Sequence, residues 1–215
     1  MRRSTLVALM AALALSSRAV ANASTILFAN LTHDQETGLP GMTPTLTSTG
    51  AARPLSFGTA VFMLNDAHTQ MTMTAVVHEI DITGTQTPDT NDNLVAAHIH
   101  VGAPPGMTAP VRWGFFGVPD NDNNPDNLVV SPYLSSVGGI FMSVWNLPEG
   151  NAGTTLTTNL PAILAGMSYI NFHTVQFPGG EIRGGIEPVP EPGTMVMVGL
   201  GMAALMRQAR RRKQV

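Results

Sequence analysis

Three histidines at strand spacing are the residues of this 215-residue chain best suited to chemistry. They lie in Ala97-His98-Ile99-His100-Val101-Gly102 and in Tyr169-Ile170-Asn171-Phe172-His173-Thr174. Side chains alternate along an extended strand. His98 and His100 therefore project from one face, opposite Ala97, Ile99 and Val101, and His173 shares a face with Asn171, opposite Ile170 and Phe172. A third segment, Gly180-Glu181-Ile182-Arg183-Gly184, puts Glu181 and Arg183 together on one side of Ile182. As neighbours in one sheet, these segments would gather three imidazoles, an amide, a carboxylate and a guanidinium on one polar face. Two chemistries follow. Neutral His98, His100 and His173 can hold copper or zinc with a fourth position open. Alternatively Asn171, Glu181 and Arg183 form a hydrogen-bonded structural cluster, with Glu181 paired to Arg183 or to a histidine and fixing strand register.

The elements that must position these groups are strands. Thr59–Leu64 and Met71–His78 are rich in β-branched and apolar residues and are joined by the turn Asn65-Asp66-Ala67-His68, which predicts a hairpin. Within the second of them Met71, Met73, Ala75 and Val77 share one face, the period of a half-buried strand. Further strands are expected at Thr25–Leu31, Leu94–Val101, Val111–Phe116, Gly139–Trp145, Ser168–Val175 and Glu181–Ile186. One helix is expected over Asn159–Gly166, with Asn159 as its cap and Pro161 in its first turn. Many short strands joined by Gly-, Pro-, Asn- and Asp-rich turns point to an all-β fold, an antiparallel β-sandwich of immunoglobulin-like or Greek-key type. Two loops, Thr87–Asn93 and Pro119–Asn127, concentrate Asp and Asn. Those side chains serve ordinary turns, and weak calcium binding is the minority reading.

Charge and composition remove whole classes of function. All 14 acidic residues lie between Asp34 and Glu191, a span with no lysine and only Arg53, Arg112 and Arg183, so its net charge is near −11. Such a surface repels a phosphate backbone, and no nucleic-acid partner is expected. Zero cysteines exclude disulfides, thiolate metal sites and a cysteine nucleophile. No Gly-x-Ser-x-Gly elbow, phosphate-binding Gly-rich loop or His-Glu-x-x-His motif is present, so no enzyme is expected.

Both ends read as addresses. Arg2 and Arg3, the apolar run Leu6–Leu15, and Ala21 and Ala23 at the −3 and −1 positions form a signal peptide over residues 1–23. At the other end Pro190-Glu191-Pro192 precedes an apolar run, residues 195–206, and a basic cluster, Arg207 to Lys213. That run makes a short transmembrane helix of about 18 Å, with the basic cluster held on the cytoplasmic side. This order of parts resembles the PEP-CTERM sorting signal, here residues 188–215. The resemblance implies an inner-membrane-anchored precursor, an exosortase as partner, cleavage near Pro190, Glu191 and Pro192, and release to the outer surface or the extracellular polymer.

The body, residues 24–187, carries a second resemblance. The blocks are Phe28-Ala29-x-Leu31 with Gln35-Glu36, Gly58-Thr59-Ala60-Val61-Phe62-x-Leu64, Ala97-His98-Ile99-His100-x-Gly102, Tyr169-x-Asn171-x-His173-Thr174 and Pro178 to Gly184. In this order and spacing they are similar to the CHRD domain, which implies an extracellular β-rich module without an established enzymatic activity. The combined expectation is an exported bacterial cell-surface or extracellular-matrix protein, a non-catalytic structural or binding module. Extracellular polysaccharide is a partner compatible with its acidic surface. The competing expectation is a copper- or zinc-binding metalloprotein built on His98, His100 and His173.

Overall fold

Alternating burial organises the chain in the way the sequence predicts. In the strand Phe57–Leu64 every second side chain is buried, and Gln70–His78 repeats the pattern. The structure, a computed structural model, describes residues 25–37 and 43–190. The signal peptide with Ala21 and Ala23, residues Glu191 and Pro192, and the C-terminal apolar and basic segments lie outside the described residues. Among the described residues no helix is long and apolar enough to cross a membrane.

Ten strands follow in chain order: β1 Thr25–Thr32, β2 Phe57–Leu64, β3 Gln70–His78, β4 Leu94–Val101, β5 Val111–Phe116, β6 Val129–Pro132, β7 Gly138–Asn146, β8 Ser168–Thr174, β9 Ile182–Gly185 and β10 Glu187–Pro188. The fold is all-β with antiparallel strand pairing, as expected. The layers of the sandwich are halves of one curled sheet of order β5-β4-β8-β9-β1-β2-β3-β7-β6, with β10 pairing β1. The halves meet at a narrow seam, where β9 touches β1 through the single pair Thr32↔Arg183. Curling at this seam brings the far ends together. Phe115 of β5 and Phe172 of β8 make edge-on contacts with Phe141 of β7, and Trp113 stacks on Trp145 with ring centroids 5.5 Å apart. These rings are all fully buried and form the centre of the core. Strands β6 and β10 are too short to show as periodic runs in the sequence.

The helix α1 spans Leu156–Leu164, three residues earlier than the sequence predicts. Its cap is Thr155, whose hydroxyl accepts from the Thr158 backbone in a reciprocal capping box. Asn159 instead donates its amide to the Thr155 carbonyl at 2.8 Å. The sequence reading favoured Asn159 because it immediately precedes the apolar turn, and it overlooked the Thr-x-x-Thr box one turn upstream.

Candidate metal centre

Strand pairing assembles the site. His98 of β4 lies opposite Asn171 of β8, His100 lies opposite Tyr169, and Asn171 lies opposite Arg183 of β9. The same register sets His173 beside Ala96, and the irregularity in β4 falls beyond it, between Leu94 and Ala96. The reverse faces of these strands carry Ala97, Ile99, Ile170, Phe172 and Ile182, all in the core. The histidine face is therefore the outer face of the β4-β8-β9 layer. It is not open to water, because three loop segments around residues 33–37, 103–109 and 117–121 roof it, and His98, His100, Asn171 and His173 are all buried.

Backbone carbonyls of two roof segments and of the turn between β8 and β9 meet each imidazole at its outward nitrogen. His98 Nε2 lies 3.0 Å from the Val118 carbonyl, His100 Nδ1 lies 2.7 Å from the Ala109 carbonyl, and His173 Nδ1 lies 3.0 Å from the Pro178 carbonyl. A carbonyl can only accept, so these nitrogens of His98 and His100 carry the ring proton, and His173 meets Pro178 in the tautomer protonated on Nδ1. The remaining nitrogens, His98 Nδ1, His100 Nε2 and His173 Nε2, are left as lone pairs within 4.8 Å of one another. His98 Nδ1 and His173 Nε2 are 3.1 Å apart, and His100 Nε2 is buried without a hydrogen-bond partner. Asn171 Oδ1 also lies 3.0 Å from His173 Nε2, so His173 has an acceptor beside each nitrogen and its single proton serves one of them; with that proton on Nδ1, Asn171 supplies a fourth acceptor. Its amide nitrogen faces away, toward Glu36 Oε1 at 3.4 Å. In that tautomer three imidazole lone pairs and one amide oxygen stand together with no protein donor among them.

Two glycines make this geometry attainable. A Cβ on Gly114 would collide with the Pro119 carbonyl, so its absence lets the 117–121 segment fold back until Val118 reaches His98. Gly180, at φ +127°, leaves the space occupied by the Glu36 carboxylate. Glu36 also borders a cavity of about 300 Å³ shared with Tyr169 and Arg183, so the centre lies one residue away from solvent-sized space.

Electrostatics keep the rings neutral. Burial lowers the pKa of His98 and of His100 to about 4, with the neighbouring His173 adding to the effect in both. Burial lowers His173 as well, against the Pro178 hydrogen bond. Burial raises the Glu36 carboxyl, opposed by Arg183 and by the Asn171 hydrogen bond. Neutral imidazoles whose second nitrogen donates to a backbone carbonyl have the form that copper and zinc ligands take. In a tetrahedral site with bonds of about 2.0–2.1 Å the donors stand about 3.3 Å apart. The His98–His173 pair is close to that spacing. The His100 donor atom lies within 4.8 Å of both.

The other expected residues separate. Glu181 does not pair with Arg183, nor does its carboxylate meet a histidine. It turns to the far side and is clamped by Arg53, with Nη1 at 2.7 Å and Nη2 at 2.6 Å, and by the hydroxyls of Ser56 and Thr174. Glu181 is fully buried, and this bidentate pair ties the 43–56 segment to the start of β9. Arg183 instead lies over the Tyr169 ring, 3.3 Å from its centroid, and donates to Thr37 Oγ1 and to the Met107 carbonyl, which anchors the roof. The sequence reading missed Glu36 and Arg53. Gln35-Glu36 belongs to the first block that resembles the CHRD domain but lies on no strand face. Arg53 stood out only as one of three arginines in an acidic body.

Both Asp/Asn-rich loops use their carboxylates for hydrogen bonds to protein donors, some within the loop and some to distant segments. Asp89 Oδ1 accepts from the Ser48 N–H at 2.7 Å, and Asp92 from the Thr87 hydroxyl. Asp122 accepts from the Asn127 N–H and the Ser143 hydroxyl. Asp122 is buried, and burial raises its pKa to about 6.

A family model for the CHRD domain matches residues 27–186, nearly the whole described body. The chain belongs to the CHRD-domain family. A second family model, the PEP-CTERM protein-sorting motif, matches residues 188–212. A CHRD domain followed by that motif makes this an exported protein, carried as a membrane-anchored precursor and processed by an exosortase. No curated protein and no solved structure matches the chain. The CHRD blocks now have physical roles. In the closing block, Pro178 holds His173, Gly180 admits Glu36, Glu181 clamps Arg53, Ile182 enters the core and Arg183 pins the roof.

Two measurements check this description. Arg53→Met leaves the Glu181 carboxylate buried without its counter-charge, and is expected to lower the unfolding free energy by about 3–5 kcal/mol. A loss below about 1 kcal/mol in urea unfolding would contradict the clamp. In chelator, the pH dependence of melting is set partly by the histidines. His98 and His100 titrate near 4 when folded and near 6.5 when unfolded, so between those values the unfolded chain binds more protons. Their contribution to stability is complete above pH 6.5 and is lost as pH falls toward 4. The raised Asp122 and Glu36 act with the opposite sign. A His98→Gln/His100→Gln variant is therefore expected to lose less melting temperature than the wild type on going from pH 7 to pH 4.5.

Proposed function

We propose that this CHRD module is a non-enzymatic binding component of the outer surface or extracellular polymer, and that the ligand it binds is copper or zinc. His98 Nδ1, His100 Nε2 and His173 Nε2 supply three donors and Asn171 Oδ1 the fourth. The observation that supports this reading is the set of outward hydrogen bonds to Val118, Ala109 and Pro178, which leaves three lone pairs turned inward. Two acceptors about 3 Å apart repel each other in a buried site, and a cation between them turns that repulsion into attraction. A filled four-donor sphere suits a bound structural or stored ion more than a catalytic one, which keeps a position open. Exported before it acts, the module meets metal outside the cytoplasm. Its acidic surface also suits a hydrated polymer in which divalent cations bridge it to acidic polysaccharide.

Metal analysis of the purified protein tests this. About one copper or zinc ion per chain is expected after reconstitution and dialysis, and none in a His98→Ala/His100→Ala/His173→Ala variant. His100→Gln alone, which keeps the other two rings, is expected to stay folded by circular dichroism and to bind at least about tenfold more weakly. A folded wild type that retains no metal would overturn the reading.

A further inference from the structure

The second layer of the sheet has an outer face of unusual composition. Strands β1, β2, β3, β6 and β7 contain no Asp, Glu, Lys or Arg, in a span of net charge near −11. Strand register aligns the outward side chains into cross-sheet rows. One row runs Phe28, Val61, Thr74, Met142, Val129, and the next runs Ile26, Met63, Thr72, Val144. The four apolar members of the first row are each between 40% and 49% exposed. Five strands at about 4.8 Å make the face about 20 Å across. A carboxylate borders the face at one margin, where Glu187 pairs with Phe28.

The chain leaves the body beside this face. The Val189 N–H donates to the Ile26 carbonyl at 2.9 Å, and Val189 and Pro190 line a cleft with Phe28. Only residues 191–194 separate this point from the apolar run 195–206 of the sorting signal. Four residues reach at most about 14 Å. While the precursor is anchored, some surface of the body must therefore stay near the bilayer. Anionic headgroups repel an acidic surface over a Debye length of about 8 Å at physiological ionic strength. The uncharged face adjoining the tether escapes that repulsion and offers half-exposed Phe, Ile, Met and Val side chains to the interface.

We infer that, in the anchored precursor, the outer face of β1-β2-β3-β7-β6 rests on the phospholipid surface. This pose holds the Pro-Glu-Pro segment at the membrane plane, and release after cleavage frees the same face. A cysteine-free chain makes the test direct. Residues 24–215 are reconstituted into phosphatidylethanolamine vesicles containing phosphatidylglycerol, with a single environment-sensitive label at Val61→Cys, Met63→Cys or Val118→Cys. Val118 is a highly exposed control on the roof loop of the other layer. Brominated acyl chains are expected to quench the labels at 61 and 63 several-fold more than the label at 118. Equal, weak quenching at all three positions would overturn the inference. So would shielding of 61 and 63 that depends on protein concentration but not on brominated lipid, which would assign the face to a second copy of the chain.

Discussion

Three hydrogen bonds from imidazole N–H groups to backbone carbonyls govern this molecule, because they decide what the other three ring nitrogens can do. A neutral histidine has one donor and one acceptor. Once Val118, Ala109 and Pro178 take the donors, only acceptors remain to face inward, and Asn171 contributes another. A structural polar cluster would interleave donors with acceptors. Here the pairing of Glu181 with Arg53, on the other side of β9, does so completely, with a guanidinium and two hydroxyls around one carboxylate. The two clusters flank the same strand and have opposite characters. One is saturated and braces the fold, and the other is the centre for which we propose a bound cation.

The sheet and its roof share the work of keeping the centre in that state. The β4-β8 ladder fixes the spacing of the rings, while a core of stacked and edge-on aromatics behind it holds the ladder flat. Three loops supply the carbonyls. The one carrying Ala109 is held down by Arg183, which reaches Met107, and Thr37 in the adjoining segment, from its stacked position on Tyr169. Burial under this roof also depresses the histidine pKa values, so the rings remain unprotonated well into the acidic range. The same covering that makes protonation costly makes neutral ligands available.

Much of this was legible in the sequence because strands expose their logic at period two. Alternation alone puts His98 with His100, and Asn171 with His173, on one face of each strand, and the strands appear within a residue or two of the expected bounds; that the strands are neighbours is shown by their pairing. What alternation cannot give is the direction of a residue at a strand end. Glu181 precedes β9 by one position, so its side chain follows the loop rather than the face, and it meets Arg53, distant in sequence. Nor does a strand pattern reveal what lies over a sheet. The carbonyls of Val118, Ala109 and Pro178 belong to irregular segments, and Glu36 arrives from a turn after β1, so the features that fix the ring tautomers had no periodic signature. The curl that makes a single sheet into two layers depends on the brief β9–β1 contact, which is equally invisible in a linear pattern.

The account rests on the proton positions of three rings, and nitrogen-15 NMR of histidine-labelled protein in chelator at neutral pH reads them directly. The expected spectrum has His98 protonated on Nε2, and His100 and His173 protonated on Nδ1, all neutral. A proton on His98 Nδ1 or His173 Nε2, bridging the 3.1 Å gap between them, would contradict it. The pair would then be an ordinary hydrogen bond with no call for a metal.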